Sequence, residues 1–200
     1  MEESFLLKRK PKLTVFAGPN GSGKSTVTAA CILEGEYINA DDIKILLHCD
    51  DLTAAKEAEA RRETALQDKV DFCFETVLST NRNLLLMQRA KESGYFIRGY
   101  YVLTCDPQIN VARVKSRVAN GGHDVPVDKI ISRYHRALEL LPQFVALCDV
   151  CSVYDNTLSG FDKIYKKHNA ESSVYPSLVW SSQDILNLVK SKGAKTNVFS

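Results

Sequence analysis

The sequence predicts a three-layer α/β domain, a central and mostly parallel sheet between helices, with a helical lid beside it. Three observations predict it. A short apolar run, Leu13-Thr14-Val15-Phe16-Ala17, leads into a glycine-rich turn and then into Thr26 to Leu33, which can be helical. Apolar runs and helical patterns alternate from there on, as parallel strands joined by crossover helices require. Finally, no repeat, low-complexity tract or Pro/Gly-rich linker divides the 200 residues, of which 44% are hydrophobic, so a single domain accounts for the length.

In order, residues 1–11 read as an N-terminal arm, 12–157 as the core and 158–200 as a C-terminal extension without an assigned role. After the first strand, Tyr37-Ile38-Asn39 makes a short second strand, and a helix begins near Ile43. Leu52 to Val70, rich in Ala, Glu, Lys and Arg, makes a helix with Thr53 as its cap. Asp71 to Phe74 is a third strand, followed by a helix from Asn81 to Glu92 that Gly94 ends. Tyr95 to Leu103 is the next strand. Asp106-Pro107 then opens a helix by an N-cap with Pro in the first turn, and Gly121-Gly122 closes it. Ile130, Ile131, Tyr134, Leu138 and Leu141 fall at helical spacing, Val150 to Tyr154 is the last core strand, and Asp184 to Lys190 is helical.

Charge and cysteine usage narrow the class. With 26 basic and 24 acidic residues interspersed, the net charge of +2 provides no basic face for nucleic acid or a membrane surface. No apolar run approaches the ~18 residues of a spanning helix, and the first ten residues lack the order of a signal peptide. A cytoplasmic protein is expected. Six cysteines read as reduced, mostly buried thiols, and Cys148-Asp149-Val150-Cys151 has no second pair to complete a zinc site.

The chemistry centres on Gly18-Pro19-Asn20-Gly21-Ser22-Gly23-Lys24-Ser25, a full G-x-x-x-x-G-K-[ST] motif between strand and helix. The glycines let backbone N–H groups turn inward around a phosphate at the helix N-terminus. Lys24 reaches the β- and γ-phosphates, the Ser25 hydroxyl ligates Mg²⁺, and Gly18 through Thr26 form the binding loop for ATP or GTP. The fold is therefore that of a P-loop NTPase.

Ligands of such sheets sit beyond the carboxyl ends of the strands, so the polar residues following each apolar run carry the next inference. Asp41, after strand two, is the candidate general base, with Asp42 as the alternative; either also suits as a helix N-cap. Glu75-Thr76, ending strand three, is the candidate substrate contact, or else a solvated strand end. Asp106 reads as an N-cap before a metal ligand. Arg113 and Arg117 are four apart on one helix, and Arg133 and Arg136 three apart on the next, flanking Asn120-Gly121-Gly122-His123-Asp124-Val125-Pro126. Two helices with arginines around a flexible loop make a lid whose guanidinium groups meet phosphate, with His123 as a further contact. Asp155-Asn156 lies where a nucleotide base can be met.

These motifs together resemble the zeta-toxin family of P-loop kinases, in its short single-domain bacterial branch. The resemblance runs from about Lys12 to Thr157 and rests on Ala17 to Ser25, Ile38-Asn39-Ala40-Asp41, Phe74 to Ser79, Arg113-Val114-Lys115-Ser116-Arg117, Gly121 to Pro126, Arg133-Tyr134 and Tyr154-Asp155-Asn156. It implies phosphorylation, dependent on ATP or GTP and Mg²⁺, of a nucleotide sugar such as UDP-N-acetylglucosamine at a sugar hydroxyl. By motif, Lys24 matches the loop lysine, Asp41 the base, Glu75 the carboxylate holding the substrate, and Arg113 or Arg117 the first lid arginine. One departure stands out: where the larger toxins carry an arginine three residues before a proline, this chain has His123, and Arg133 or Arg136 is left to substitute. The resemblance also implies a proteinaceous antitoxin. Two other readings fit the same residues, a kinase of another small metabolite and an NTP-binding regulator with slow hydrolysis. A transporter ATPase does not, since the L-S-G-G-Q motif is absent.

Overall fold

Five segments become the parallel part of one sheet, the apolar β1 (Lys12–Ala17), β3 (Phe72–Thr76), β4 (Phe96–Leu103) and β5 (Val150–Asp155) and the short edge strand β2 (Glu36–Tyr37). The computed structural model describes residues 9–122, 124–158 and 160–190. Seven strands lie in the order β2-β3-β1-β4-β5-β6-β7, with β6 (Asp162–His168) and β7 (Glu171–Val174) added antiparallel at one edge. The fold is the mixed α/β architecture expected of a P-loop protein. β1 is central, and Leu13, Val15 and Phe16 are wholly buried. Each such side chain contributes about 1.5–3 kcal/mol, which anchors the loop that follows on a stiff base.

Helices cover both faces because successive side chains of a strand point to opposite sides. Along β3, Phe74 lies under Arg62 of α3 (Asp51–Asp68), with the guanidinium 4.4 Å from the ring centre. Its neighbour Glu75 meets Thr28 of α1 (Lys24–Ala29) on the other face. The remaining helices are α2 (Ala40–Leu47), α4 (Arg82–Glu92), α5 (Pro107–Ala119), α6 (Val127–Leu147) and α7 (Ser182–Val189).

Several local expectations change. Asn39, and neither Asp41 nor Asp42, caps α2, its side chain accepting from the Asp41 N–H at 3.1 Å. Asp50 rather than Thr53 caps α3, accepting from the Thr53 N–H at 2.7 Å. The helix after the loop stops at Ala29 instead of Leu33; Ile32 is 93% exposed, so that stretch has no face to bury. Residues 162–174, read as part of an extension, form two strands of the same sheet. Only Ile164 and Tyr165 of β6 are buried, and its lysines mark an outer strand. Among the cysteines, Cys73, Cys148 and Cys151 are buried, whereas Cys105 is exposed. At the N-terminus, Arg9 is held by Asp71 at 3.1 and 2.6 Å.

The two lid helices have their own small core. Val111 and Val114 of α5 meet Val125 and Ile130 at the start of α6, apart from the main cluster. Further along α6, Leu141, Phe144 and Val145 enter the main core under the sheet. One long helix thus ties the lid to the body.

Candidate active site

The phosphate loop is shaped by what presses on it. Gly18 has φ 141°, and a Cβ there would lie 2.0 Å from the carbonyl oxygen of Val102. Gly21 has φ 73°, and a Cβ there would lie 2.7 Å from the carbonyl oxygen of Asn110. Both positions combine a left-handed backbone with a close approach, which only glycine tolerates. The Asn156 amide donates to the Ser22 carbonyl at 2.8 Å, holding the loop from the end of β5. Asn156 also lines the cleft beside the loop.

Lys24 folds back onto its own loop, its Nζ donating to the carbonyls of Gly18 at 2.8 Å and Pro19 at 2.9 Å. Burial pulls its pKa down to about 8; the negative charge of Glu75 opposes this and Arg117 adds to it. Glu75 is the hub of the other side. Its Oε1 accepts from the Thr28 hydroxyl at 2.7 Å and its Oε2 from the Ser25 hydroxyl at 3.2 Å. Burial and the nearby negative charge of Glu75 raise the pKa of the Tyr37 phenol, whose oxygen accepts from the Asn39 amide at 3.4 Å.

These groups border one cleft of about 490 Å³. Asn20, Gly21, Gly23, Lys24, Ser25 and Thr26 form one wall; Asn39, Asp41, Glu75, Thr76 and Val77 form another; Arg113, Arg117 and Asn156 complete it. Sequence reading and structure therefore agree in bringing the loop, Asp41, Glu75, Thr76, Arg113 and Arg117 to one place. Gly18, Pro19 and Ser22 shape the loop from behind. Arg133 and Arg136 are not brought to the cleft: both sit on α6 outside its lining, and Arg136 bonds back to the Ser132 carbonyl at 3.3 Å. Asp42 is likewise outside the lining, and Asp106 caps α5 by accepting from the Gln108 N–H at 2.8 Å. His123 lies outside the described residues.

Three contributors escaped sequence reading. Thr28 stands three residues after Ser25, so helical spacing alone puts both hydroxyls on one face. In the sequence Tyr37 reads only as a strand residue, whereas its phenol lies beside Glu75. Asn110 falls on the apolar stripe of α5 beside Val111 and Val114, where a buried amide must have partners.

The residues present fit a nucleoside triphosphate. Arg113 Nη1 and Asn20 Oδ1 are buried without a hydrogen-bond partner, and both residues line the cleft. A magnesium ion would take Ser25 as its protein ligand. Among the described residues no three His, Cys, Asp or Glu gather around such a point. That suits an ion that keeps waters and phosphate oxygens as its other ligands.

A profile of the zeta toxin family matches residues 2–175. The chain belongs to the zeta toxin family. This member is 30% identical over 137 residues to an uncharacterized protein of Haemophilus influenzae, covering 62% of its own length and 92% of that protein. Among solved structures, a chain of the PezAT chromosomal toxin–antitoxin system of Streptococcus pneumoniae superimposes with a TM-score of 0.55. It has 15% identity, over 80% of this chain and 72% of that one. The AvrRxo1-ORF1:AvrRxo1-ORF2 complex gives a TM-score of 0.67 at 15% identity, over 93% of this chain and 66% of its counterpart. The same complex crystallised with ATP gives 0.66. At such identities these likenesses show a shared fold. No helix among the described residues of this family member is long and apolar enough to cross a membrane.

Proposed function

We propose that this zeta toxin family member is an ATP-dependent kinase that phosphorylates a hydroxyl of a nucleotide sugar such as UDP-N-acetylglucosamine. One observation carries the reading: a single cleft joins a phosphate loop and two arginines to a pair of carboxylates, Asp41 and Glu75. Donor and acceptor thus have separate walls facing a shared space. Family membership supports a phosphotransferase, and the similar AvrRxo1 complex with ATP supports ATP as donor.

In this reading the loop N–H groups and Lys24 hold the donor phosphates, and Arg113 and Arg117 meet the charge that develops on the transferring group. Magnesium, held by Ser25 and the phosphates, would neutralise part of that charge. Asp41, exposed at the mouth of the cleft, takes the proton from the acceptor hydroxyl at a carboxylate oxygen. Glu75 orients the acceptor. A carboxylate offers about four acceptor positions; Ser25 and Thr28 use two, which leaves room for substrate hydroxyls. The same hydrogen bonds couple the acceptor carboxylate to the metal-binding serine. The activity belongs in the cytoplasm, where ATP is supplied and these thiols stay reduced. A protein antitoxin covering the cleft is part of the proposal, since the PezAT and AvrRxo1 relatives are a toxin–antitoxin system and a two-protein complex.

The test is ADP release from MgATP with and without UDP-N-acetylglucosamine, in wild type and Asp41→Ala. Stimulation by the sugar nucleotide, at least about hundredfold lower in the variant, with a product heavier by one phosphate, is expected. Absence of stimulation removes the acceptor and opens the search to other metabolites. Stimulation that survives Asp41→Ala removes the base.

A further inference from the structure

A lid helix should be free to swing, yet the first turns of α5 are fastened to the phosphate loop. Asn110 is wholly buried. A carbonyl can only accept, so the contact with the Asn20 carbonyl at 2.6 Å fixes Nδ2 as the donor. That leaves Oδ1 to accept from the Thr104 hydroxyl. Thr104 is itself wholly buried, and its carbonyl accepts from the Tyr134 hydroxyl at 2.6 Å. The backbone of Asn110 also occupies the space that a side chain at Gly21 would need. Three residues on, Arg113 stands on the same helix face, lining the cleft with Nη1 buried and unpartnered.

We propose that Asn110 is a positioning residue that sets Arg113 against the nucleotide phosphates by locking α5 to the phosphate loop. Thr104 and Tyr134 extend the lock from α6 through the end of β4. A guanidinium carried on a helix that a buried, satisfied network fixes in advance has less freedom to lose when phosphate arrives, so more of its charge is used for binding. The inference rests on the cleft being an ATP site. It differs from a merely structural role in one respect: Asn110 acts through Arg113, so the two residues cannot contribute independently.

A double-mutant cycle on MgATP affinity reads this directly, by calorimetry on wild type, Asn110→Ala, Arg113→Ala and the double variant. Each single change is expected to weaken binding about tenfold, and the double change no more than about twofold beyond the worse single. A double variant weakened about hundredfold, the product of independent effects, overturns the proposal. Thr104→Val, which removes only the hydroxyl on Oδ1, serves if Asn110→Ala does not fold. Its loss of affinity must vanish in the Arg113→Ala background, and persistence there overturns the proposal as well. Wild-type protein that binds no MgATP would remove the nucleotide reading and this inference together. Normal wild-type binding with additive effects removes the inference alone.

Discussion

Binding of MgATP at pH 8 is expected to draw about half a proton into the protein, through Lys24. The ammonium is buried on the loop carbonyls, and burial brings its pKa from 10.5 to about 8 despite the neighbouring Glu75. With that value about half of the lysines are neutral at pH 8 and about a tenth at pH 7. Phosphate oxygens close to the nitrogen favour the charged form, so the bound state refills the site with a proton. Uptake should rise from about 0.1 proton at pH 7 to about 0.5 at pH 8 and about 0.9 at pH 9. The terminal phosphate is already ionised over most of that range, with a second pKa near ~6. Calorimetry in two buffers of different ionisation enthalpy measures the number, and Lys24→Arg, which stays charged, should show none. Uptake that is flat from pH 7 to 9, or the same in Lys24→Arg, would refute the reasoning. The same shift acts on stability. Because the folded pKa lies below the unfolded one, the unfolded chain holds more protons between about pH 8 and 10.5, and this group makes stability rise with pH across that window.

Glu75→Gln removes the charge that holds the Lys24 pKa up, so uptake at pH 7 should increase, while acceptor-stimulated turnover falls at least about tenfold. Arg113→Ala should weaken MgATP binding about tenfold, whereas Arg136→Ala, outside the cleft, should change it less than about twofold. Gly99→Ala puts a methyl 2.5 Å from Cys148 Sγ and 2.8 Å from the Phe144 ring, and overpacking of that kind costs about 1–3 kcal/mol. For a domain of this size a thermal melt should drop by about 2–4 °C per kcal/mol. Lys167→Met removes an ammonium bonded to the carbonyls of Val145, Ala146 and Cys148 at the end of α6. It should lower stability by about 1–3 kcal/mol, read by denaturant unfolding.

Where sequence reading succeeded, local chemistry was decisive. The phosphate loop needs a fixed spacing of glycines and a lysine, and no partner elsewhere in the chain is required to recognise it. Apolar runs marked β1, β3, β4 and β5 because strands buried on both faces must be apolar throughout. The capping of α5 by Asp106 with Pro107 is equally local. Reading failed where several residues compete for one role. Asn39, Asp41 and Asp42 are all good caps in sequence, and only the backbone path gives the position to Asn39 and leaves Asp41 facing the cleft. β6 and β7 escaped notice because outer strands bury one face at most, so their lysines and serines look like loop.

The lid shows the same division. Spacing identifies two pairs of arginines, 113 with 117 and 133 with 136, and their chemistry is identical. With α5 and α6 packed on their shared Val111, Val114, Val125 and Ile130 contacts, the first pair lines the cleft and the second lies outside its lining. The amino-acid sequence by itself determined the loop, the alternation of strands and helices as far as β5, and the set of residue types available for phosphate chemistry. Those follow from short-range spacing and from the composition of each segment. Tertiary structure alone decided which carboxylate and which arginines share the cleft, that Ser25 and Thr28 hold Glu75, and that a buried Asn110 joins α5 to the loop. Each of these contacts joins residues distant in sequence, and their side chains meet only after helices and strands have packed in one orientation.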